Sequence, residues 1–149
     1  QVAGRAGRGR REGLVVIQTL CPEVEAVTRA CSFDTRGFLD SELTMRERMS
    51  YPPFTRLVRV MVEGEDNEFS EQRARTLAES LRARANVFSV LGPALAPLAR
   101  VRGRWRWQIL LKCVSDDALQ SARDALIALE ARSDARARVL VDVDPYSML

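Results

Sequence analysis

The feature that most constrains this chain is the order of hydrophobic periods that begins after Phe54. Val58, Val60 and Val62 alternate with Arg59, Met61 and Glu63, the two-residue period of a strand. Ala74, Leu77, Ala78, Leu81 and Ala85 then share one helical face. Val87 to Leu91 is strand-like again and is broken by Gly92-Pro93, and Pro97 restricts any continuation to an edge or a bulge. Arg102-Gly103-Arg104 is a turn signal, after which Trp105, Trp107, Ile109 and Leu111 alternate with Arg106, Gln108, Leu110 and Lys112. Ser115 before Asp116 and Asp117 suits a helix start, with Leu119, Ala122, Leu126 and Leu129 as the buried stripe. Val139, Val141 and Val143 form a last strand. The order strand, helix, strand, strand, helix, strand predicts an α+β, ferredoxin-like βαββαβ domain over residues 54–149. Two helices would cover one face of a four-stranded antiparallel sheet, because neither helix buries enough apolar surface to stand alone.

The part before Phe54 has a different character. Residues 1 to 12 are rich in glycine and arginine and read as a loop. Leu14 to Leu20 is an apolar, partly β-branched run of the kind that fills a buried strand. Pro22, with Glu23 and Glu25 behind it, suits the first turn of a helix running to about Ser32. A second helix is expected from Asp40-Ser41 to Met49, ended by Tyr51-Pro52-Pro53-Phe54. The domain expectation is therefore 1–33 as a strand-and-helix tail, 34–53 as a linker helix with a proline strut, and 54–149 as the regular domain. The chain opens on Gln1-Val2-Ala3-Gly4-Arg5, neither an initiator Met nor a signal sequence, which points to a piece of a longer intracellular protein.

Net charge is only +3, but it is unevenly placed. Arg5, Arg8, Arg10 and Arg11 form one acid-free basic cluster; Arg100, Arg102, Arg104, Arg106 and Lys112 form another. The rest of the chain is acidic on balance, which suggests two anion-binding sites. Lys112 is the only lysine, so the arginine richness also fits a compositional bias. Three cysteines (Cys21, Cys31, Cys113) without a C-x-x-C pair, and no histidine, argue against a disulfide framework or a zinc site; buried free thiols are expected. No apolar run is long enough to cross a bilayer, so no membrane partner is expected.

The sharpest local pattern is Gln1-Val2-Ala3-Gly4-Arg5-Ala6-Gly7-Arg8. Phosphoryl transfer needs fixed positive charge against the γ-phosphate, and arginine supplies it as a permanent fork. Gly4 and Gly7 permit a tight turn and close backbone approach, and arginines three apart can face one nucleotide from a single helical turn. An isolated R-x-G-R would be a solvated basic loop; the full pattern ahead of a β-branched run favours nucleotide contact.

These residues resemble motif VI of superfamily 2 helicases. Further on, Glu42-Leu43 with Arg46, Tyr51-Pro52-Pro53-Phe54, Leu91-Gly92-Pro93-Ala94, Ala96-Pro97-Leu98, Gly103-Arg104 with Trp107-Gln108, and Val141-Asp142-Val143-Asp144-Pro145 succeed one another as in the primosomal protein N′ (PriA) family of replication-restart helicases. The resemblance spans the chain in order. It departs at Arg10-Arg11, where the family more often has an acidic or small polar residue, and at Ser32-Phe33-Asp34, where a histidine is expected.

Several expectations follow from that resemblance. Residues 1–33 would end the second RecA-like lobe of an ATP-dependent 3′→5′ DNA helicase that recognises stalled or branched forks and starts primosome assembly. Arg8 would be the arginine finger, Arg5 its partner, and Gln1 with Gly4 nucleotide contacts to ATP and Mg. The structural zinc of such a parent would lie upstream. Branched and single-stranded DNA, the single-strand-binding protein and other primosome proteins would be its partners, and the cytoplasm, on the nucleoid, its location. With no P-loop lysine and no Asp-Glu box, residues 1–149 alone are expected neither to hydrolyse ATP nor to unwind DNA. The alternative is a non-catalytic DNA- or protein-binding platform from an ATPase-deficient parent, and a generic ferredoxin-like regulatory domain is the third.

Arg100, Arg102, Arg104, Arg106 and Lys112 are the candidate DNA contacts. Their charges would neutralise phosphates, while interleaved Trp105 and Trp107 could stack bases or, since they share a face with Ile109 and Leu111, pack in the core. Asp142 and Asp144 are expected to solvate the exposed face or pair with arginines rather than hold a metal. Met45, Met49 and Met61 are expected to fill gaps, and Tyr51 to Phe54 to act as a rigid strut.

Overall fold

The computed structural model describes residues 13–130 and 134–147. The chain divides into two compact units, the first ending at Thr44 and the second starting at Met45.

In the first unit the expected strand over Leu14–Leu20 does not form: these residues have no regular structure, and Leu14, Val16 and Leu20 are exposed. An apolar run becomes a buried strand only where neighbouring strands satisfy its amides, and no strand pairs with it among the described residues. Helix α1 (Glu25–Cys31) is shorter than predicted, and α2 (Thr35–Arg48) starts five residues before Asp40. The reason is Asp34, whose Oδ1 accepts from the Gly37 amide at 2.9 Å and so fixes the first turn of α2. Arg29 also pairs with Asp34, and with Glu25 at 3.2 Å. Neither helix buries a residue, and Cys21 and Cys31 are exposed. Without a core to enter, they are not the buried thiols expected.

The second unit follows the predicted alternation closely. Its elements are β1 (Arg56–Gly64), α3 (Asn67–Arg82), β2 (Phe88–Val101), β3 (Arg104–Cys113), α4 (Asp116–Glu130) and β4 (Ala137–Val143). The four strands form one antiparallel sheet in the order β2-β3-β1-β4, the split βαβ topology. Val60 lies between Ile109 and Val141, which sets the register of β3, β1 and β4. Alternation sends Val58, Val60, Val62, Ile109 and Leu111 to one face, where all five are fully buried. Ala74, Leu77, Ala78 and Leu81 of α3 and Ala118, Ala122, Ala125, Leu126 and Leu129 of α4 cover them. Each such side chain contributes on the order of 1.5–3 kcal/mol on leaving water, alanine less. Asp66 caps α3, its carboxylate accepting from the Phe69 amide at 2.8 Å, and Ser115 Oγ accepts from the Ala118 amide at 3.2 Å to start α4.

Strand β2 runs further than the break at Gly92-Pro93 suggested. It is an edge strand whose register with β3 slips twice, between Leu91 and Ala94 and between Leu95 and Arg100, so its prolines meet no ladder bond they cannot make. Among the described residues Met61 is the only buried methionine; Met45 and Met49 are exposed and fill no gap.

Candidate nucleic-acid interface

The nucleotide-contact candidates Gln1, Gly4, Arg5 and Arg8 lie outside the described residues. The second basic cluster lies on the β2–β3 hairpin, and the sheet distributes its members to different places.

Val101 pairs with Arg104, leaving Arg102 and Gly103 as a two-residue turn. Both have positive φ, 50° and 83°, as a type I′ hairpin requires. Asparagine or glycine suits the first of these positions; an arginine there is held in the left-handed region at a steric cost. Arg102 is exposed at the tip, where the backbone projects it into solvent.

Arg100 stands over the Trp105 ring, its guanidinium carbon 5.3 Å from the ring centre. Trp107 packs against the core, and its indole N–H donates to Asn67 Oδ1 at 3.1 Å. Trp107 is therefore engaged inside the domain, the outcome its shared face with Ile109 and Leu111 favoured, whereas Trp105 is half-buried beneath Arg100. Arg104 and Arg106 point to the face that no helix covers. There Arg104 meets Glu65 at 3.3 Å, and Arg106 Nε meets Glu63 at 2.8 Å and Met61 Sδ at 3.0 Å.

Lys112 belongs to a different construction. Its Nζ donates to the Met49 carbonyl at 2.6 Å and lies 3.8 Å from the centre of the Tyr51 ring. Desolvation there lowers its pKa. The lysine thus clamps the turn before Pro52-Pro53 to the sheet. Arg46 Nη1 donates to the Pro52 carbonyl at 3.2 Å, and Thr55 Oγ1 to the Ser50 carbonyl at 2.9 Å. A strut held by three side chains accords with a rigid connection.

Two arginines that sequence reasoning passed over belong with the hairpin. Pairing of β4 with β1 puts Arg138 opposite Glu63, where its Nε donates to Oε2 at 2.8 Å. Arg136 lies over the Phe69 ring at 3.9 Å and pairs with Asp134 at 2.9 Å. Arg104, Arg136, Glu65, Asp66 and Phe69 line one cleft of about 320 Å³. Only the strand register links segment 100–106 to segment 136–138, so no local pattern could reveal it.

The paired aspartates behave as expected. Asp142 meets Arg59 at 3.1 Å and Asp144 meets Arg56 at 2.5 Å. Among the described residues no group of three His, Cys, Asp or Glu could hold a metal ion, and no helix is long and apolar enough to cross a membrane.

This fold carries a family assignment. Residues 47–146 match the model of the primosomal protein N C-terminal domain, which is most of the second unit, and the chain belongs to that family. Among curated proteins it is similar along its full length to the replication restart protein PriA of Treponema pallidum, at 38% identity over 150 residues. It is 31% identical to the PriA of Haemophilus influenzae over 149 residues and 36% identical to that of Synechocystis over 115, which is 75% of this chain. The chain spans 23%, 20% and 14% of those relatives respectively, so it corresponds to a minor part of each.

Proposed function

We propose that this chain is the carboxy-terminal part of an ATP-dependent 3′→5′ DNA helicase that recognises stalled or branched replication forks and initiates primosome assembly. The observation that carries this is the match along the whole chain to proteins named for replication restart. On this proposal the second unit is a DNA-binding module on a ferredoxin-like fold, and its sheet order supports the fold.

Residues 1–33 are the end of the second RecA-like lobe, 34–53 the connection, and 54–149 the DNA-binding module. Arg8 is the arginine finger, with Arg5, Gly4 and Gln1 beside the ATP and Mg held by the rest of the parent. A guanidinium placed there offsets charge that develops on the γ-phosphate during cleavage. Branched and single-stranded DNA, the single-strand-binding protein and other primosome proteins are its partners, and it works on the nucleoid in the cytoplasm.

The test is DNA-stimulated ATP hydrolysis by the intact parent and its Arg8→Ala variant. Turnover should fall by at least about 10³-fold, the usual cost of losing an arginine finger, while fork binding persists. Equal turnover would overturn the role of Arg8. A wild-type parent that binds forks but never hydrolyses ATP would replace the helicase with the non-catalytic platform.

A further inference from the structure

The two edges of the sheet are built differently. The order β2-β3-β1-β4 leaves the outer sides of β2 and β4 without a strand among the described residues. Pro93, Pro97 and two register slips close β2 to further pairing. β4 carries no such guard. Its seven residues contain no proline, and its register with β1 runs from Val143 to Ala137 without a slip.

Alternation fixes which backbone groups of β4 face outward. The Asp144 amide, one residue past the strand, donates to the Leu57 carbonyl at 2.7 Å. Asp142, Leu140 and Arg138 therefore turn their amides and carbonyls toward β1, and Val143, Val141 and Val139 turn theirs away from it. Ala137 also faces outward, but its amide donates to the Asp134 carbonyl at 3.2 Å. The open edge thus runs from Val139 to Val143. Its apolar side chains are only half covered: Leu140, Val141 and Val143 are 42%, 40% and 41% exposed.

This edge is complementary to itself. Against an antiparallel second β4 with Leu140 opposite its own copy, Val139 meets Val141 and Arg138 meets Asp142, each pair occurring twice. That register makes Val139 and Val141 the hydrogen-bonded partners, which uses only outward-facing groups. Arg138 and Asp142 become a closely spaced pair, about 4.5 Å apart at Cα. The neighbouring registers are worse: a centre at Val141 sets Leu140 against Asp142, and a centre at Val139 sets Arg138 against Leu140. Arg138 keeps 59% of its side chain exposed while it holds Glu63, and Asp142 keeps 50% while it holds Arg59, so each has bonding capacity left. The row Arg106, Glu63, Arg138 on the open face would continue into the partner subunit's Asp142 and the partner subunit's Arg59, with the sign of charge alternating at every step.

We propose that β4 pairs antiparallel with the β4 of a second copy of this chain, joining two sheets into one across a two-fold axis at Leu140. The proposal rests on the fold and the edge sequence alone and holds whether or not the parent is a helicase. A single strand pair with its flanking side chains buries less than about 1,200 Å², the range of weak and transient interfaces, so the dimer forms and parts with concentration. An unrelated strand would find the same backbone groups but not the reciprocal arginine and aspartate.

The experiment is sedimentation velocity of the full chain over a micromolar to millimolar series, with Leu140→Asp and Leu140→Lys variants. Leu140 is exposed and meets its own copy on the axis, so each variant sets like charges together and should weaken dimerisation at least about tenfold. Mixing the two variants in equal amounts should restore the dimer, because Asp then faces Lys; misfolding would give no such rescue. Melting of each variant close to the native temperature checks that the monomer is intact. A native chain that stays monomeric throughout would overturn the proposal. So would dimers of native strength in both variants, or weakened variants that mixing fails to rescue. Assemblies that grow without limit would mark a head-to-tail contact and overturn it as well.

Discussion

Glu63 and Arg138 meet across the β1–β4 pair with Arg138 Nε donating to Glu63 Oε2 at 2.8 Å, on the face of the sheet that carries no helix. Its other oxygen accepts from Arg106 Nε at the same distance. The two arginines are not equivalent: Arg106 is 16% exposed and lies beside Met61, whereas Arg138 is 59% exposed. Removing the carboxylate leaves a largely buried guanidinium without its anion. Glu63→Ala should therefore cost about 2–3 kcal/mol, whereas Arg138→Ala should cost under about 1 kcal/mol because water replaces its partner. Urea unfolding of the three single variants, including Arg106→Ala, checks the ranking; Arg138→Ala as costly as Glu63→Ala would contradict it.

The core gives a second, sharper contrast. Leu81 and Leu111 are fully buried between the sheet and α3, while Leu20 is fully exposed. Leu81→Ala and Leu111→Ala should each lose about 2–5 kcal/mol through transfer and cavity terms. Leu20→Ala should stay within about 0.5 kcal/mol. Thermal melting of the chain measures both, and a large effect at Leu20 would mean that the run at 14–20 is covered in solution.

Acid should weaken the start and end of β4. Arg136 holds the Asp134 carboxyl, first by its side chain and then by its amide, and draws its pKa from 3.8 to about 2. Asp144 is lowered chiefly by Arg56 and further by the Leu57 amide. A carboxyl whose folded pKa lies below its unfolded one contributes fully above the unfolded value and is lost as pH falls through the folded value. The melting temperature should accordingly drop between about pH 4 and pH 2. Asp134→Asn should flatten that part of the profile, and an unaltered profile would remove Asp134 from the account.

Much of the second unit was legible because its signals are local. Val58, Val60 and Val62 show their period within five residues, and the stripe Ala74, Leu77, Ala78, Leu81 shows the helix that covers them. Ser115 was readable as a cap because the amide it binds, that of Ala118, lies three residues on. What escaped depends on distant partners. The run Leu14–Leu20 has the composition of a buried strand, but composition supplies no neighbour to pair with. Asp34 displaced Asp40 as the start of α2 because both are plausible caps, and the capped amide at Gly37 decides between them. Arg136 and Arg138 carry no local signal, and only the pairing of β4 with β1 sets Arg138 beside Glu63. The hairpin arginines were visible as a cluster, but alternation divides them between two faces, which a count of charges does not express.

Arg102 is where local preference and the chain's choice disagree most clearly. The turn needs positive φ at both central residues, and Gly103 meets that need while Arg102 occupies φ 50° with a Cβ that crowds the following carbonyl. Sites that break a local rule while the surrounding pairing stays regular are where function is to be expected. Arg102→Asn supplies the residue that this turn type prefers before glycine and relieves roughly 0.5–1 kcal/mol of conformational cost. The variant should therefore melt higher than the native chain. If the tip reaches a phosphate in the intact parent, the same variant should bind fork DNA more weakly, with a salt slope smaller by about 0.9. Arg102→Lys separates the two effects, since it keeps the charge and the strain together and should leave both melting and slope near their native values. Higher stability with undiminished DNA binding would show that the arginine is a tolerated misfit in the turn, and lower stability would show that its side chain has a structural partner.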